Sequence, residues 1–423
     1  MLDIKFIRDN KELVQQNCLN RHVKMDIEAL LKSDEERRNI LKQIEDLRAT
    51  RNLGSKGKPT PEEIAKMKEV GEEIKKLEET QQAIEARYRE LLMQVPNLTH
   101  AQSPIGGEDD FKVVFQKEPT KFDFEPKDHE QLMLDLDLID FERGAKVAGA
   151  KFYFSKNDLV RLNQALINYG MDVVTKHGYT LLETPDMAKV EILEGIGFNP
   201  RGNETQVYSV ENTDLCLIGT AEITVGGFHA NEVLDLTQGP KKYVALSHCY
   251  RTEAGAYGRT SKGLYRVHQF TKLEMFVYCK PEESEVLHQE ILAIEQEIAD
   301  GIGFPYRVID IASGDLGGPA YRKYDLEAWM TMKADPSAVA QGKQGDYGEI
   351  TSTSNCTDYQ SRRLNIKYKN EKGESEFVHT LNGTAVVLSR FPIAILENFQ
   401  NADGSITIPE VLRPYMGKDK IVK

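Results

Sequence analysis

The chain has 423 residues, 40% hydrophobic and 29% charged, with a mean hydropathy of -0.48. That composition fits a folded protein of two or three domains, too long for one ordinary core. A net charge of -13 argues against a protein that coats DNA, and the absence of any run of about 18 apolar residues argues against a membrane helix. The opening MLDIKFIRDN has neither the apolar core of a signal peptide nor the bias of a transit peptide, so the cytoplasm is the expected address. Cys18, Cys216, Cys249, Cys279 and Cys356 are scattered and form no CxxC pair. Free thiols are expected, with no structural zinc and no disulfide frame.

Residues 1 to about 25 read as a short helical lead-in. From Ile27 an apolar stripe (Leu30, Leu31, Ile40, Leu41, Ile44, Leu47) runs through a charged helix to a stop at Gly54. After the turn SKGKPT, Thr60-Pro61-Glu62-Glu63 supplies an N-cap, a first-turn proline and a glutamate three residues on, which is a capping box. A second stripe follows at Ile64, Met67, Gly71, Ile74, Leu77, Gln81, Ile84, Tyr88, Leu91 and Val95. Two such helices predict an antiparallel coiled-coil hairpin, an arm of roughly 40 to 50 Å. Leu31 to Thr60 carries eight basic residues against five acidic ones, and Pro61 to Val95 carries six against nine. The outgoing helix and tip are therefore basic in an acidic protein, which suits contact with a polyanion, although exposed coiled-coil faces are charged in any case.

Pro96-Asn97 ends the arm, and Ser103 to Asp110 reads as a hinge. The expected layout is an N-terminal domain over 1–103, a linker over 104–120 and a second domain over 121–423. Leu159 to Lys176 and Glu283 to Ile302 are amphipathic helices, while Tyr179 to Thr184, Tyr306 to Ile311 and Phe377 to Leu381 are strand-like. Hairpin connections outnumber βαβ units. The predicted fold class is α+β, an antiparallel sheet flanked by helices behind the arm.

Tyr250 to Phe276, YRTEAGAYGRTSKGLYRVHQFTKLEMF, predicts a long hairpin with charged residues inside it. Strand alternation puts Arg266, His268, Phe270, Lys272, Glu274 and Phe276 on one side, and Arg251 and Glu253 on one side of the partner. Arginines and glutamates facing one cleft suit a ligand with a phosphate at one end and an ammonium at the other; the bland alternative is a salt-bridged, solvated sheet face.

The hairpin resembles motif 2 of the class II aminoacyl-tRNA synthetases, and the whole chain resembles the seryl-tRNA synthetase family. Lys176 to Pro185 resembles motif 1, a dimer-interface helix and strand. Leu381 to Gln400, LNGTAVVLSRFPIAILENFQ, resembles motif 3. Gly219-Thr220-Ala221-Glu222, Gly314 to Gly317 followed by Lys323 to Trp329, and Glu349 to Arg363 resemble the seryl enzymes in particular.

The resemblance implies a class II catalytic domain that joins L-serine to ATP as seryl-adenylate and passes the seryl group to serine tRNA, with selenocysteine tRNA a further candidate. It implies a homodimer whose arm (Arg37, Arg38, Lys42, Arg48, Arg51, Lys56 and Lys58) grips the tRNA. Arg251, Arg266 and Arg390 are the implied catalytic cations: Arg251 on the α-phosphate and carboxylate, Arg390 on the γ-phosphate, Arg266 on the triphosphate. Thr252, Glu253, Glu349, Ile350, Thr351 and Ser352 complete the ATP site, with Glu349 and Ser352 holding Mg2+ or Mn2+ through oxygen. Thr220, Ala221, Glu222, Arg251, Glu274, Asn382 and Thr384 are the implied serine site. Serine is small, so its recognition rests on polar contacts. Attack by the substrate's own carboxylate needs no protein nucleophile, and His248 and His268 are read as packing or hydrogen-bonding residues. No GxxxxGK[ST] loop occurs. Ser389 stands before Arg390 where the family usually has glycine, and Thr351 stands where many relatives have serine. Two rivals remain: a carrier-protein ligase with the same core, which would lack the arm, and a non-catalytic paralogue, which would have lost the charged ligands.

Overall fold

The computed structural model describes residues 1–54, 60–198, 206–253, 263–333 and 344–423. The chain divides into two compact units, Met1–Leu98 and Thr99–Lys423.

The first unit is helical: α1 (Ile4–Asp9), α2 (Lys11–Asn20), α3 (Ile27–Gly54) and α4 (Pro61–Gln94). The capping box forms as the sequence predicts. Thr60 Oγ1 accepts from the Glu63 N–H at 3.3 Å, and Glu63 Oε2 accepts from the Thr60 N–H at 2.7 Å. Ile44, Val70 and Ile74 make the seam between α3 and α4, and Ile27, Leu30, Tyr88 and Leu92 close its base. The seam takes in Val70 and Leu92 as buried residues, while Ile64, the first position of the expected stripe, is 58% exposed. Ion pairs Arg48–Glu78 (2.7 Å) and Arg37–Glu85 (3.7 Å) run in opposite senses along the two helices, which fixes them as antiparallel.

The second unit is built on an eight-stranded sheet. In chain order its strands are β1 (Lys112–Gln116), β2 (Thr180–Glu183), β3 (Lys241–Tyr250), β4 (Gln269–Cys279), β5 (Tyr306–Asp310), β6 (Arg322–Met330), β7 (Asp346–Thr357) and β8 (His379–Val387). Their spatial order is β1-β5-β6-β7-β8-β4-β3-β2. Every pairing is antiparallel except β2 with β3, which is parallel from Thr180↔Tyr243 to Glu183↔Leu246. The stretch 104–120, read as a linker, contributes β1, an edge strand paired with β5.

Helices α5 (Asn157–Lys176), α6 (Ala221–Gly227), α7 (Ser284–Ile302), α8 (Tyr359–Leu364) and α9 (Phe391–Asn398) pack on the sheet. Alternation along β4 sorts its side chains. Leu273, Met275 and Val277 join the main core with Leu166 of α5 and Ile291 and Ile298 of α7. Phe276 and Tyr278 join a smaller core with Ile223 and Leu364, on the face that also carries Lys272 and Glu274. Helices α5, α7 and α9 thus cover one side of the sheet, while α6 and α8 pack on part of the other side, which also holds the cleft.

Candidate active site

The hairpin forms, but its key charges lie just beyond the ladder. β3 ends at Tyr250, paired with Gln269 where β4 begins. Arg251, Glu253, Arg266 and His268 therefore lie outside the regular strands, which corrects the expectation of strand faces for them. One more backbone bond, Arg251 N–H to the His268 carbonyl at 3.0 Å, keeps the two chains together. Glu253 has φ +52°, a left-handed conformation costly for a residue with a Cβ and found where a turn is held by its surroundings. The turn aims Glu253 at Arg266, with Oε2 3.3 Å from Nη1. Thr252 donates its N–H to the Gln206 carbonyl. The glycine-bearing stretch 254–262 lies outside the described residues.

Three guanidinium groups meet in one cleft. Arg251 donates from Nε and Nη2 to the Gly219 carbonyl, both at 3.3 Å, and lies 5.3 Å from the Phe270 ring. Arg390, immediately before α9, donates to the Glu349 carbonyl at 2.7 Å and stacks 3.6 Å from the Tyr265 ring centroid. Arg266 and Glu253 complete the wall, and Glu349, Ser352 and Thr384 face the same space. Clustering cations at this range is costly without an anion between them. Glu349 feels the cluster: burial acts to raise its carboxyl, but Arg390, Lys323, Arg251 and Arg266 outweigh it and hold it below the usual carboxylate range.

Glu349 and Ser352 are three apart, so in a regular strand they would face opposite ways. A bulge reconciles them. Glu327 pairs with Glu349 and Leu326 with Thr351, which leaves Ile350 as the extra residue. Glu349 and Ser352 then lie opposite Glu327 and Asp325, on one face of the sheet. Two oxygen donors there, one a carboxylate kept charged, fit a hard divalent cation. Thr351 is turned to the helix side, 2% exposed, with its hydroxyl donating to Glu295. As a side chain it is no part of the cleft.

A second polar niche adjoins the first. Thr384 Oγ1 donates to Glu274 Oε2 at 3.0 Å, and Lys272 Nζ lies 2.8 Å from the same oxygen. Glu222 Oε1 accepts from Gln360 Nε2 at 2.8 Å and from Asn382 Nδ2 at 3.1 Å. Burial, and then the Glu274 carboxylate, push Glu222 up to about 7 against the Gln360 hydrogen bond and the charges of Lys272 and Arg251. Thr220 caps α6 by accepting from the Glu222 N–H at 3.2 Å, so its hydroxyl has a structural partner. Ala221 is fully buried. Thr220, Glu222, Glu274, Asn382 and Thr384 are thus brought together from three segments.

Sequence reasoning assigns no role to five residues of the second unit. Tyr265 is the platform under Arg390, and Lys333 lies 4.4 Å from the same ring centroid. Lys272 neutralises Glu274, Gln360 bridges Glu222 to Thr380, and Lys323 pairs with Asp325 at 3.3 Å. Lys272 has a signal, an i,i+2 relation to Glu274 within one strand; Gln360 has none, since its partners are distant in sequence.

On the arm the picture is more restrictive than charge alone implies. Arg37 and Arg38 both pair with Asp34, a fully buried carboxylate, at 3.3 and 3.1 Å. Arg37 also stacks on Tyr88, and Arg48 pairs with Glu78. These three arginines serve the hairpin itself. Lys42 and Arg51 are exposed, and Lys56 and Lys58 lie outside the described residues.

Comparison with known proteins agrees with this geometry. Residues 1–99 match the seryl-tRNA synthetase N-terminal domain, and residues 206–399 match the tRNA synthetase class II core domain (G, H, P, S and T). The chain is 52% identical over 430 residues to a serine–tRNA ligase of Treponema denticola, with 100% of both chains covered. It is 48% identical over 432 residues to that of Dictyoglomus turgidum, covering 100% of this chain and 99% of the relative. Among solved structures, a seryl-tRNA synthetase from Pyrococcus horikoshii complexed with ATP superposes with a TM-score of 0.90 at 38% identity, covering 100% of this chain and 99% of that one. A cytoplasmic serine–tRNA ligase from Naegleria fowleri in complex with AMP gives 0.85 at 32% identity, with 100% and 98% covered. With an arm and a cleft that both answer to these relatives over their full length, the chain belongs to the seryl-tRNA synthetase family.

Proposed function

We propose that the protein is a serine–tRNA ligase that forms seryl-adenylate from L-serine and ATP and transfers the seryl group to serine tRNA. The observation that carries this reading is the meeting of Arg251, Arg266 and Arg390 in one cleft beside the Glu222–Glu274–Thr384 niche. Carboxylate attack on an α-phosphate brings two anions together, so fixed positive charge must already be in place. Arg251, between the two subsites, would bridge carboxylate and α-phosphate with the forked reach that lysine lacks. Arg390, held on Tyr265, and Arg266, held by Glu253, would take the phosphoryl tail. The attacking oxygen belongs to serine and the leaving group is pyrophosphate, so the chain supplies alignment and charge rather than a nucleophile.

In the niche, Glu222 would receive the serine ammonium and the Glu274–Thr384 pair its hydroxyl. Alanine, lacking that hydroxyl, would leave buried polar groups unsatisfied and be rejected. Glu349 and Ser352 are the residues that would hold magnesium or manganese. When bound, the ion would screen the phosphate charges that Arg266 and Arg390 leave exposed.

The roles of the arm, the domain limits and the assembly belong to the same reading. The arm would present Lys42 and Arg51 to tRNA, selenocysteine tRNA included. A homodimer would form through the motif 1 region, where edge strand β2 leaves Leu181 46% exposed. Among the described residues no helix is long and apolar enough to cross a membrane. The test is serine-dependent exchange of pyrophosphate into ATP. The intact protein should support it, Arg251→Ala should lose on the order of a hundredfold or more in kcat/KM, and no exchange by the intact protein would refute the reading.

A further inference from the structure

On the helix side of the sheet, directly behind the cleft, lies a buried carboxyl that none of these roles uses. Glu295 of α7 is 1% exposed and shares the buried stripe of His288, Ile291, Ile298 and Ile302. Its Oε2 accepts from Thr351 Oγ1 at 2.9 Å. Its Oε1 lies against β8, where a Cβ added to Gly383 would fall 2.8 Å away. Among the described residues that Oε1 has no hydrogen-bond partner, so its contact with β8 is one of packing.

The Thr351 bond and the Gly383 packing fall beside two special places. Thr351 adjoins the bulged Ile350 in β7, the irregularity that puts Glu349 and Ser352 on one face. Thr384 adjoins the second bulge, at Ala385, where Thr384 pairs with Glu274 and Val386 with Leu273. A bulge is a point where the ladder is locally broken and register can relax unless neighbours hold it. A hydrophobic side chain at 295 would fill the volume but leave the Thr351 hydroxyl without an acceptor in a dry core. Burial, with the nearby Glu274 and Asp325 carboxylates, keeps Glu295 neutral, so an isosteric amide is a close substitute.

We propose that Glu295 is a positioning residue that holds the first bulge through its Thr351 hydrogen bond and the second by packing against Gly383, and so fixes the spacing between the Glu349–Ser352 pair and Thr384. The two subsites would be held in register through a group that touches neither substrate. The assignment of substrates to the subsites rests on the function proposed above; the mechanical role of Glu295 does not.

The test uses the full-length protein and Glu295→Gln, Glu295→Ala, Glu295→Met and Thr351→Val. Amide hydrogen exchange is followed at 349–352 and 383–386. Glu295→Ala should speed exchange in both segments by on the order of tenfold, the scale of one lost buried hydrogen bond, while Glu295→Gln leaves both protected. Thr351→Val should loosen 349–352 alone, and adding it to Glu295→Ala should loosen that segment no further. In turnover, Glu295→Ala should raise the KM for serine and for ATP together, with Glu295→Gln restoring both. Unchanged exchange in Glu295→Ala, or a uniform increase across the whole second unit, overturns the proposal. If Glu295→Ala fails to fold, Glu295→Met decides: a loosened 349–352 supports the lock, and wild-type protection of that segment refutes it. Amide exchange needs no turnover, so failure of the serine–ATP reading would show separately, as an intact protein with ordered bulges and no pyrophosphate exchange.

Discussion

Glu222 gives the sharpest pH prediction. Its carboxyl, ordinarily near 4.5, is pushed up to about 7 by burial and by Glu274, with Gln360, Lys272 and Arg251 pulling the other way. An ammonium group in the niche needs the ionised form. At pH 6 only about one molecule in eleven has Glu222 charged, and at pH 8 about ten in eleven, so the apparent KM for serine should be about tenfold higher at pH 6. The ammonium in turn favours the carboxylate, so serine binding near pH 7 should release protons, measurable by calorimetry in buffers of different ionisation enthalpy. The linkage to folding has the opposite sense. Because the folded-state value lies above the unfolded one, the contribution of Glu222 to stability is complete below about pH 4.5 and fades as pH rises through about 7. Glu222→Gln should raise the KM for serine on the order of 10- to 100-fold, the worth of a hydrogen bond to a charged group, and flatten its dependence on pH. Pyrophosphate exchange from pH 6 to 8.5, with the KM for ATP as control, decides it. A KM for serine that is level across this range, or a Glu222→Gln variant with the same slope as the parent, would refute the assignment.

Two further perturbations separate the parts of the molecule. Lys42→Glu with Arg51→Glu should weaken aminoacylation by raising the KM for tRNA about tenfold at moderate salt and reduce its salt dependence, with pyrophosphate exchange unaffected; a matching loss in exchange would count against a tRNA-specific arm. Gly383→Ala places a methyl group 2.3 Å from Ile291 Cγ2 and 2.8 Å from Glu295 Oε1, so it should destabilise the second unit by roughly 1–3 kcal/mol in chemical denaturation. Wild-type stability would mean that α7 yields more readily than its packing implies.

Features that depend on neighbours along the chain are legible before any coordinates. The capping box at Thr60 and Glu63, the apolar stripes of the arm apart from Ile64 and the shift to Val70 and Leu92, the amphipathic α5 and α7, and the β3–β4 pairing are all written in spacings of two to four residues, and they form. The clustered charges of the 250–276 hairpin are legible because ionised groups amid strand-like runs stand out from a core pattern, whereas Arg390 is legible only through the family resemblance. The remaining features turn on partners far apart in sequence, which only the folded chain brings together. Alternation alone would put Glu349 and Ser352 on opposite faces, and only the register against β6 reveals the bulge that unites them. Composition marks Arg37 and Arg38 as free cations, yet the fold commits both to Asp34, a charge that cannot stay buried unpaired. Glu295 reads in the sequence as one more polar helix position; only the packing of α7 across β7 and β8 makes it a buried acid at the junction of two bulges.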